Sequence, residues 1–321
     1  MHTAGHTMHF GYDVAGREIE RHLGAGALLT QAWDVNHRVV SQTLSVGGPG
    51  PGQPASARHA PRVQRRSYGY RPDGYVTTIG DPLSGNRRFD LDPTGRITAV
   101  NGVGWTERYA YDPVGNIIDA AWPAPPDSPD GDARGEREYA GTLIRRAGNI
   151  RYQHDAQGRI TLRQQKRLSA KPRTWHYTWD ADDRLTEVIT PDGQHWRYQY
   201  DPLGRRITKH RLAADGASVA EQTTFTWDGV VLAEQIHTSG GPEDPDQTTV
   251  WNWADSFRPI TQTERTALRD ASQDWVDQQF YAIVTDLVGT PTDMVDSNGT
   301  LAWHPRTTLW GTTTTRSQGG A

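Results

Sequence analysis

Between residues 173 and 211, aromatic and polar side chains alternate with a period of two. Trp175, Tyr177 and Trp179 share one parity, with Thr174, His176 and Thr178 on the other. Trp196, Tyr198 and Tyr200 repeat the arrangement opposite His195, Arg197 and Gln199. Such alternation is the pattern of a strand with one buried face. The pairs Tyr109/Tyr111, Phe225/Trp227 and Trp251/Trp253 have the same spacing and extend this aromatic ladder, whose expected role is packing. Turn-forming residues interrupt each run, at 180–183, at Pro191-Asp192-Gly193 and at 201–204. The pattern predicts an antiparallel meander of strands joined by tight turns.

The turns are copies of one another. Tyr111-Asp112-Pro113-Val114-Gly115-Asn116 matches Tyr200-Asp201-Pro202-Leu203-Gly204-Arg205. The same frame recurs at Tyr12-Asp13 with Gly16, at Leu91-Asp92-Pro93 with Gly95, and at His154-Asp155 with Gly158. Weaker copies are Trp179-Asp180, where Asp183 replaces the Gly; Tyr70-Arg71-Pro72-Asp73-Gly74; Trp33-Asp34; Trp227-Asp228; and Asp286 with Gly289. Asp13 lies 21 residues from Asp34, Asp92 lies 20 from Asp112, and Asp180 lies 21 from Asp201. A fixed period of this length marks a repeat architecture. In each unit Asp bonds the backbone ahead of it, Pro presets φ, and Gly takes the left-handed conformation that closes the turn. These residues are therefore expected to be structural.

Three stretches break the rhythm, near 47–62, 122–138 and 239–247, and are expected to be loop insertions in a repeat region spanning 1–311. Residues 312–321 are expected to be a disordered tail. Residues 263–277 carry some helical propensity.

Composition supports the all-β expectation. The 321 residues include 12 Trp, 12 Tyr and 5 Phe, large rings able to build a core without many aliphatic side chains. The 33 Gly and 20 Pro suit many turns. A net charge of -4 gives no footprint for nucleic acid or an anionic membrane. Cysteine is absent, which removes disulfides and thiolate metal sites. No apolar run reaches the roughly 18 residues of a membrane-spanning helix. Met1 to Phe10 lacks the pattern of a signal peptide, so the chain is expected to be cytoplasmic before any export.

Candidate chemistry is sparse. His2, His6 and His9 have a ligand-like spacing on a helix but stand at an expected frayed terminus, so no metal is assigned. Asp127, Asp130 and Asp132 around Gly131 fail the EF-hand pattern. No nucleophile-elbow, phosphate-loop or zincin motif occurs. The expectation is no catalytic residue, no cofactor and no enzyme. An alternative reading is a binding module at the bacterial cell surface, with the aromatic ladder stacking on glycan or holding a partner.

The recurrent Tyr-x-Tyr-Asp-Pro-x-Gly-Arg/Asn-Ile pattern resembles the YD repeat of RHS proteins. Residues 280–292, Phe-Tyr-Ala-Ile-Val-Thr-Asp-Leu-Val-Gly-Thr-Pro-Thr, resemble the block near the end of the RHS repeat region. Leu309-Trp310-Gly311-Thr312 resembles the stretch just after that block. The resemblance implies antiparallel β-hairpin repeats in a long, curved, winding sheet, an open segment of an RHS-type cocoon that encloses a toxic cargo. It implies a secreted or cell-surface parent protein, and toxin or further shell segments as partners. The family's self-cleaving aspartates are not matched after Gly311, so self-cleavage is not expected here.

Overall fold

The computed structural model describes residues 1–24, 26–46, 62–124, 133–167, 169–240, 245–254, 257–267 and 276–311. Its regular structure is all strand among the described residues. The 25 strands from His9–Tyr12 to Leu301–Trp303 lie next to one another in chain order. The meander expected over 173–211 is present as strands Arg173–Trp179, Leu185–Ile189, His195–Tyr200 and Arg206–Leu212, all paired antiparallel.

Several expectations are corrected. Residues 263–267 belong to the strand Arg258–Ala267, where cross-strand pairing outweighs helical propensity. The N-terminus is tied down rather than frayed. His2–Thr3 pairs with His6–Thr7, the terminal ammonium donates to the Met8 carbonyl at 3.0 Å, and Met8 is buried. That hairpin also rules out the helical spacing considered for His2, His6 and His9. His6 stacks on Phe280 at 4.1 Å, and the His2 ring contacts the Thr7 hydroxyl. Gly135–Ala140 is a strand that begins inside the stretch 122–138. Arg62, Ser239 and Gln247 also lie in strands. Residues 47–61, 125–132 with Asp127, Asp130 and Asp132, 241–244, 268–275 and 312–321 lie outside the described residues.

The chain divides into two compact units. The first comprises Met1–Tyr109, Asn252–Thr263 and Gln279–Ala321. Its core is apolar: Met8, Leu23, Ala27, Leu29 and Leu44 pack with Phe280, Ala282, Val284 and Val295. Beside this core lies a charged layer. Arg21 is 1% exposed and donates Nε and Nη2 to the Glu18 carboxylate at 2.9 and 3.0 Å. Arg66 bridges two buried aspartates, reaching Asp81 at 3.2 Å and Asp293 at 2.5 Å. Removing one partner of a buried ion pair leaves a charge uncompensated, so these contacts restrict the registers the strands can adopt.

The second unit comprises Ala110–Trp251 and Glu264–Gln278. Its aromatic face is half-buried. Along Arg173–Trp179 and His195–Tyr200 the rings are partly covered, while His176, Thr178, Arg197 and Gln199 are exposed. Cations lie over three of these rings. Arg163 lies 4.4 Å over Trp175, Lys209 lies 4.1 Å over Trp196, and Arg206 lies 4.4 Å over Tyr198. Their aliphatic stems and charged heads cover ring faces that the single sheet leaves open.

Candidate functional site: the clasp between repeats

Each strong copy of the turn is built the same way. In the first, Asp13 Oδ1 accepts the amides of Ala15 and Arg17, both at 2.9 Å. The backbone closes with Gly16 N–H to Asp13 C=O and Asp13 N–H to Arg17 C=O, both at 3.0 Å. Asp34, Asp92, Asp112, Asp155, Asp180, Asp201 and Asp286 each accept the corresponding pair of amides. Pro93, Pro113 and Pro202 come after Asp at the first central position of the turn. Gly16, Gly95, Gly115, Gly158, Gly204 and Gly289 all have φ between +75° and +96°. Gly95 is constrained twice, because a Cβ there would lie 2.3 Å from the Tyr75 ring. Where the glycine is missing, His37 and Asp183 adopt φ +60° in its place.

The fifth residue of the turn, just past the glycine, does most to join the repeats. Arg17 Nε donates to Asp13 Oδ2 at 2.6 Å, and the same geometry recurs for Arg38, Arg96, Arg159 and Arg205. The guanidinium at this end of the turn also extends to the next turn. Arg17 reaches the Asp34 carbonyl, Arg38 that of Arg71, Arg159 that of Asp180, Arg184 that of Asp201 and Arg205 that of Gly229. Arg71, which opens its own turn, reaches the Asp92 carbonyl in the same way. A guanidinium suits this task because its planar fork can serve a carboxylate and a carbonyl together.

A reciprocal bond runs the other way. The aromatic just before a turn donates from its tip to the residue after the previous repeat's arginine. Trp33 Nε1 donates to Glu18 C=O at 2.9 Å, and Tyr70 Oη donates to Val39 C=O at 2.6 Å. Trp179, Tyr200 and Trp227 donate to the carbonyls of Ile160, Leu185 and Arg206, each at 2.8 Å. Arg17 stacks on Trp33 and Arg38 on Tyr70, so the two halves of the clasp touch. Sequence reasoning gave Trp179, Tyr200 and Trp227 packing, with glycan stacking as the alternative, and placed no hydrogen bond at their tips. The missed signal is that the clasping position carries Tyr or Trp, whose rings end in a donor, and not Phe.

A third recurrent device sits just past the turn. The strand pairing slips by one residue at Tyr12, Trp33, Tyr70, Leu91, His154, Trp179, Tyr200 and Thr285. In five such bulges the extra residue is a threonine, and four of these five bond a carbonyl across the bulge. Thr98, Thr161, Thr186 and Thr292 donate their hydroxyls to the Asp90, Gln153, Thr178 and Val284 carbonyls. The hydroxyl thus meets a carbonyl beside the interrupted ladder.

Asp13, Asp92 and Asp112 are held in their ionised form by their hydrogen bonds. The Arg17 guanidinium holds Asp13 below the usual carboxylate range, the Thr94 hydroxyl and then Arg96 do so for Asp92, and the Asn116 amide does so for Asp112. The other ladder residues are placed variously. Tyr109 is buried, bonds Glu107 at 2.7 Å and meets the Trp310 ring edge-on. Tyr111, Phe225, Trp251 and Trp253 are half-buried on their strands. A cleft of about 330 Å³ in the first unit is lined by Arg21, Gln42, Tyr70, Arg258 and Asp286 among others. Among the described residues no group of three or more His, Asp or Glu side chains is arranged to hold a metal, and no helix is long and apolar enough to cross a membrane.

The RHS Repeat family model matches residues 173–195 and 179–218, and the RHS protein model matches 281–317. The chain is 29% identical over 307 residues to probable deoxyribonuclease RhsB of Dickeya dadantii (strain 3937), a match covering 94% of this chain and 19% of that protein. It is 29% identical over 260 residues to double-stranded DNA deaminase toxin A of Burkholderia cenocepacia (strain H111), covering 77% of this chain and 17% of the toxin. The chain thus spans about a fifth of the length of these relatives. Among solved structures, TcdB2-TccC3 without its hypervariable C-terminal region matches with a TM-score of 0.42 and 14% identity, over 96% of this chain and 18% of that one. The repeat model thus lies on the clasped meander and the RHS protein model on the final strands, and over these segments the chain is similar to RHS repeat proteins.

Proposed function

We propose that this chain is a stretch of wall in an RHS-type toxin-delivery protein, part of a shell that encloses a toxic cargo. The observation that carries the reading is the clasp, which bonds successive repeats at their turns as well as along their strands. A wall built this way can extend repeat by repeat while each unit contacts its neighbours. The relatives named for deoxyribonuclease and deaminase activity support a setting in which such repeats accompany a toxin. In this reading the wall role requires no reaction by the chain, and its partners are the cargo and adjoining shell segments. Export would take the assembled protein out of the bacterium.

The test is protease protection. The chain is expressed together with the coding sequence that surrounds it in its genome, and the product is treated with a non-specific protease. A cargo segment that survives in the intact protein, and is digested once Arg159, Arg184 and Arg205 are replaced by Ala, supports the wall. Equal digestion of that segment in both proteins contradicts it.

A further inference from the structure

The Ser84 hydroxyl, the His304 ring and the Asp293 carboxylate stand in line in the first unit. Ser84 Oγ is 2.6 Å from His304 Nε2, and His304 Nδ1 is 2.7 Å from Asp293 Oδ1. Ser84 lies on a turn after Val76–Gly80, Asp293 in the strand Pro291–Asp296, and His304 just past Leu301–Trp303. The sequence therefore carries no local motif for the arrangement. We infer that Ser84, His304 and Asp293 form a nucleophilic relay able to take an acyl group from a small aliphatic ester.

Each member has the environment its role requires. Asp293 is fully buried, and both the His304 hydrogen bond and Arg66 favour its ionised form over the cost of burial. Arg66 Nη1 and Nη2 hold the carboxylate at 2.5 and 3.1 Å. An ionised acceptor fixes the proton of His304 on Nδ1, which leaves Nε2 to accept from Ser84 Oγ–H. The His304 side chain is 17% exposed, whereas its partner carboxylate is fully buried. The turn bearing Ser84 is also fixed. Asp81 Oδ1 accepts the amides of Leu83 and Ser84, and the Asp81 amide donates to Asn86 Oδ1. That bond leaves the Asn86 Nδ2 amide as a donor two residues from the nucleophile, the kind of group that can steady an oxyanion. Leu83 and Val103 are exposed beside this turn, with Val103 Cγ2 at 3.8 Å from where a Cβ on Gly85 would sit. These two side chains offer an apolar rim for a short acyl chain.

In the first step Ser84 Oγ bonds to the carbonyl carbon of the ester and its proton passes to His304 Nε2. The bond from that carbon to the leaving oxygen breaks, and the alcohol departs with the proton. Water then gives a proton to His304 and attacks the acyl-serine. The carboxylic acid leaves, and the proton returns to Ser84 Oγ. Asp293 is a positioning residue throughout.

The test uses the full 321-residue chain with p-nitrophenyl butyrate and a fluorophosphonate probe. The expected result is probe attached at Ser84 and ester hydrolysis above the rate in buffer alone. Ser84→Ala and His304→Gln should each lower that rate by about 100-fold or more. A folded chain left unmodified at Ser84, or a Ser84→Ala variant as fast as the parent, overturns the proposal. Because the chain has no cysteine, Ser84→Cys gives a second readout that does not depend on the alanine variant folding. It should react with iodoacetamide faster than Ser218→Cys, placed on an exposed turn bonded to Asp215. Equal or slower alkylation also overturns it.

Discussion

At the residue scale, the side chains that matter most have two jobs. Trp179 and Tyr200 bury ring area and also donate a hydrogen bond to the previous repeat. Tyr200→Phe keeps the area and deletes the bond to Leu185, so it should lower stability by about 1 kcal/mol in a denaturant titration. No shift in the midpoint would show that the bond adds nothing beyond packing. Backbone strain gives an opposite prediction. His37 holds φ +60° where strong copies carry glycine. His37→Gly should stabilise the fold by about 1 kcal/mol or more. Gly95→Ala should do the reverse, combining a left-handed φ with a clash against Tyr75. In the buried layer, Arg66→Ala would leave Asp81 and Asp293 without their shared cation. A loss of about 3–5 kcal/mol is expected, read as a lower unfolding midpoint.

At the scale of the element, the hairpin was legible in the sequence wherever its chemistry is local. Asp201, Pro202 and Gly204 act within the span of one turn, and aromatic parity located the strands on either side. The arginines were less legible because their second partners lie far along the chain, as Arg159 and Asp180 do. A lone arginine after a turn looks like a solvated charge until the next repeat is placed beside it. The bulge hid another feature. By slipping the register after the turn, it leaves Ile19 exposed while Glu18 and Arg21 are buried. The relay of Ser84, His304 and Asp293 was invisible for the same reason of distance, since 220 residues separate serine from histidine.

The turn carboxylates also make the hairpins sensitive to acid. Asp13, Asp92 and Asp112 have folded-state values lowered by their hydrogen bonds. A group lowered on folding contributes stability that is complete above its unfolded value, about 3.9, and is lost as pH falls through the folded value. Tryptophan fluorescence should therefore report a fold unchanged from neutral pH to about pH 5, and progressive loss only below the ordinary aspartate range. A transition centred near pH 6 would point instead to histidines as the controlling groups.

At the scale of the whole molecule, the two units bury their inner faces differently. The first closes an apolar core with strands that lie late in the sequence, joining Met8 and Leu44 to Phe280 and Val295. The second leaves its aromatic face half-buried under arginine and lysine. Composition could not distinguish these outcomes, because the same strand pattern serves both and only the long-range arrangement decides which groups cover it. In both units the turn-to-turn bonds recur, and they make adjacent repeats dependent on each other. Hydrogen exchange on a variant combining Arg184→Ala with Tyr200→Phe tests that dependence most directly, since it removes both halves of one clasp. If the clasp couples the repeats, exchange speeds up in both flanking hairpins, 173–189 and 195–212, with their amides losing protection together. Faster exchange confined to one hairpin, with the other unchanged, would contradict it.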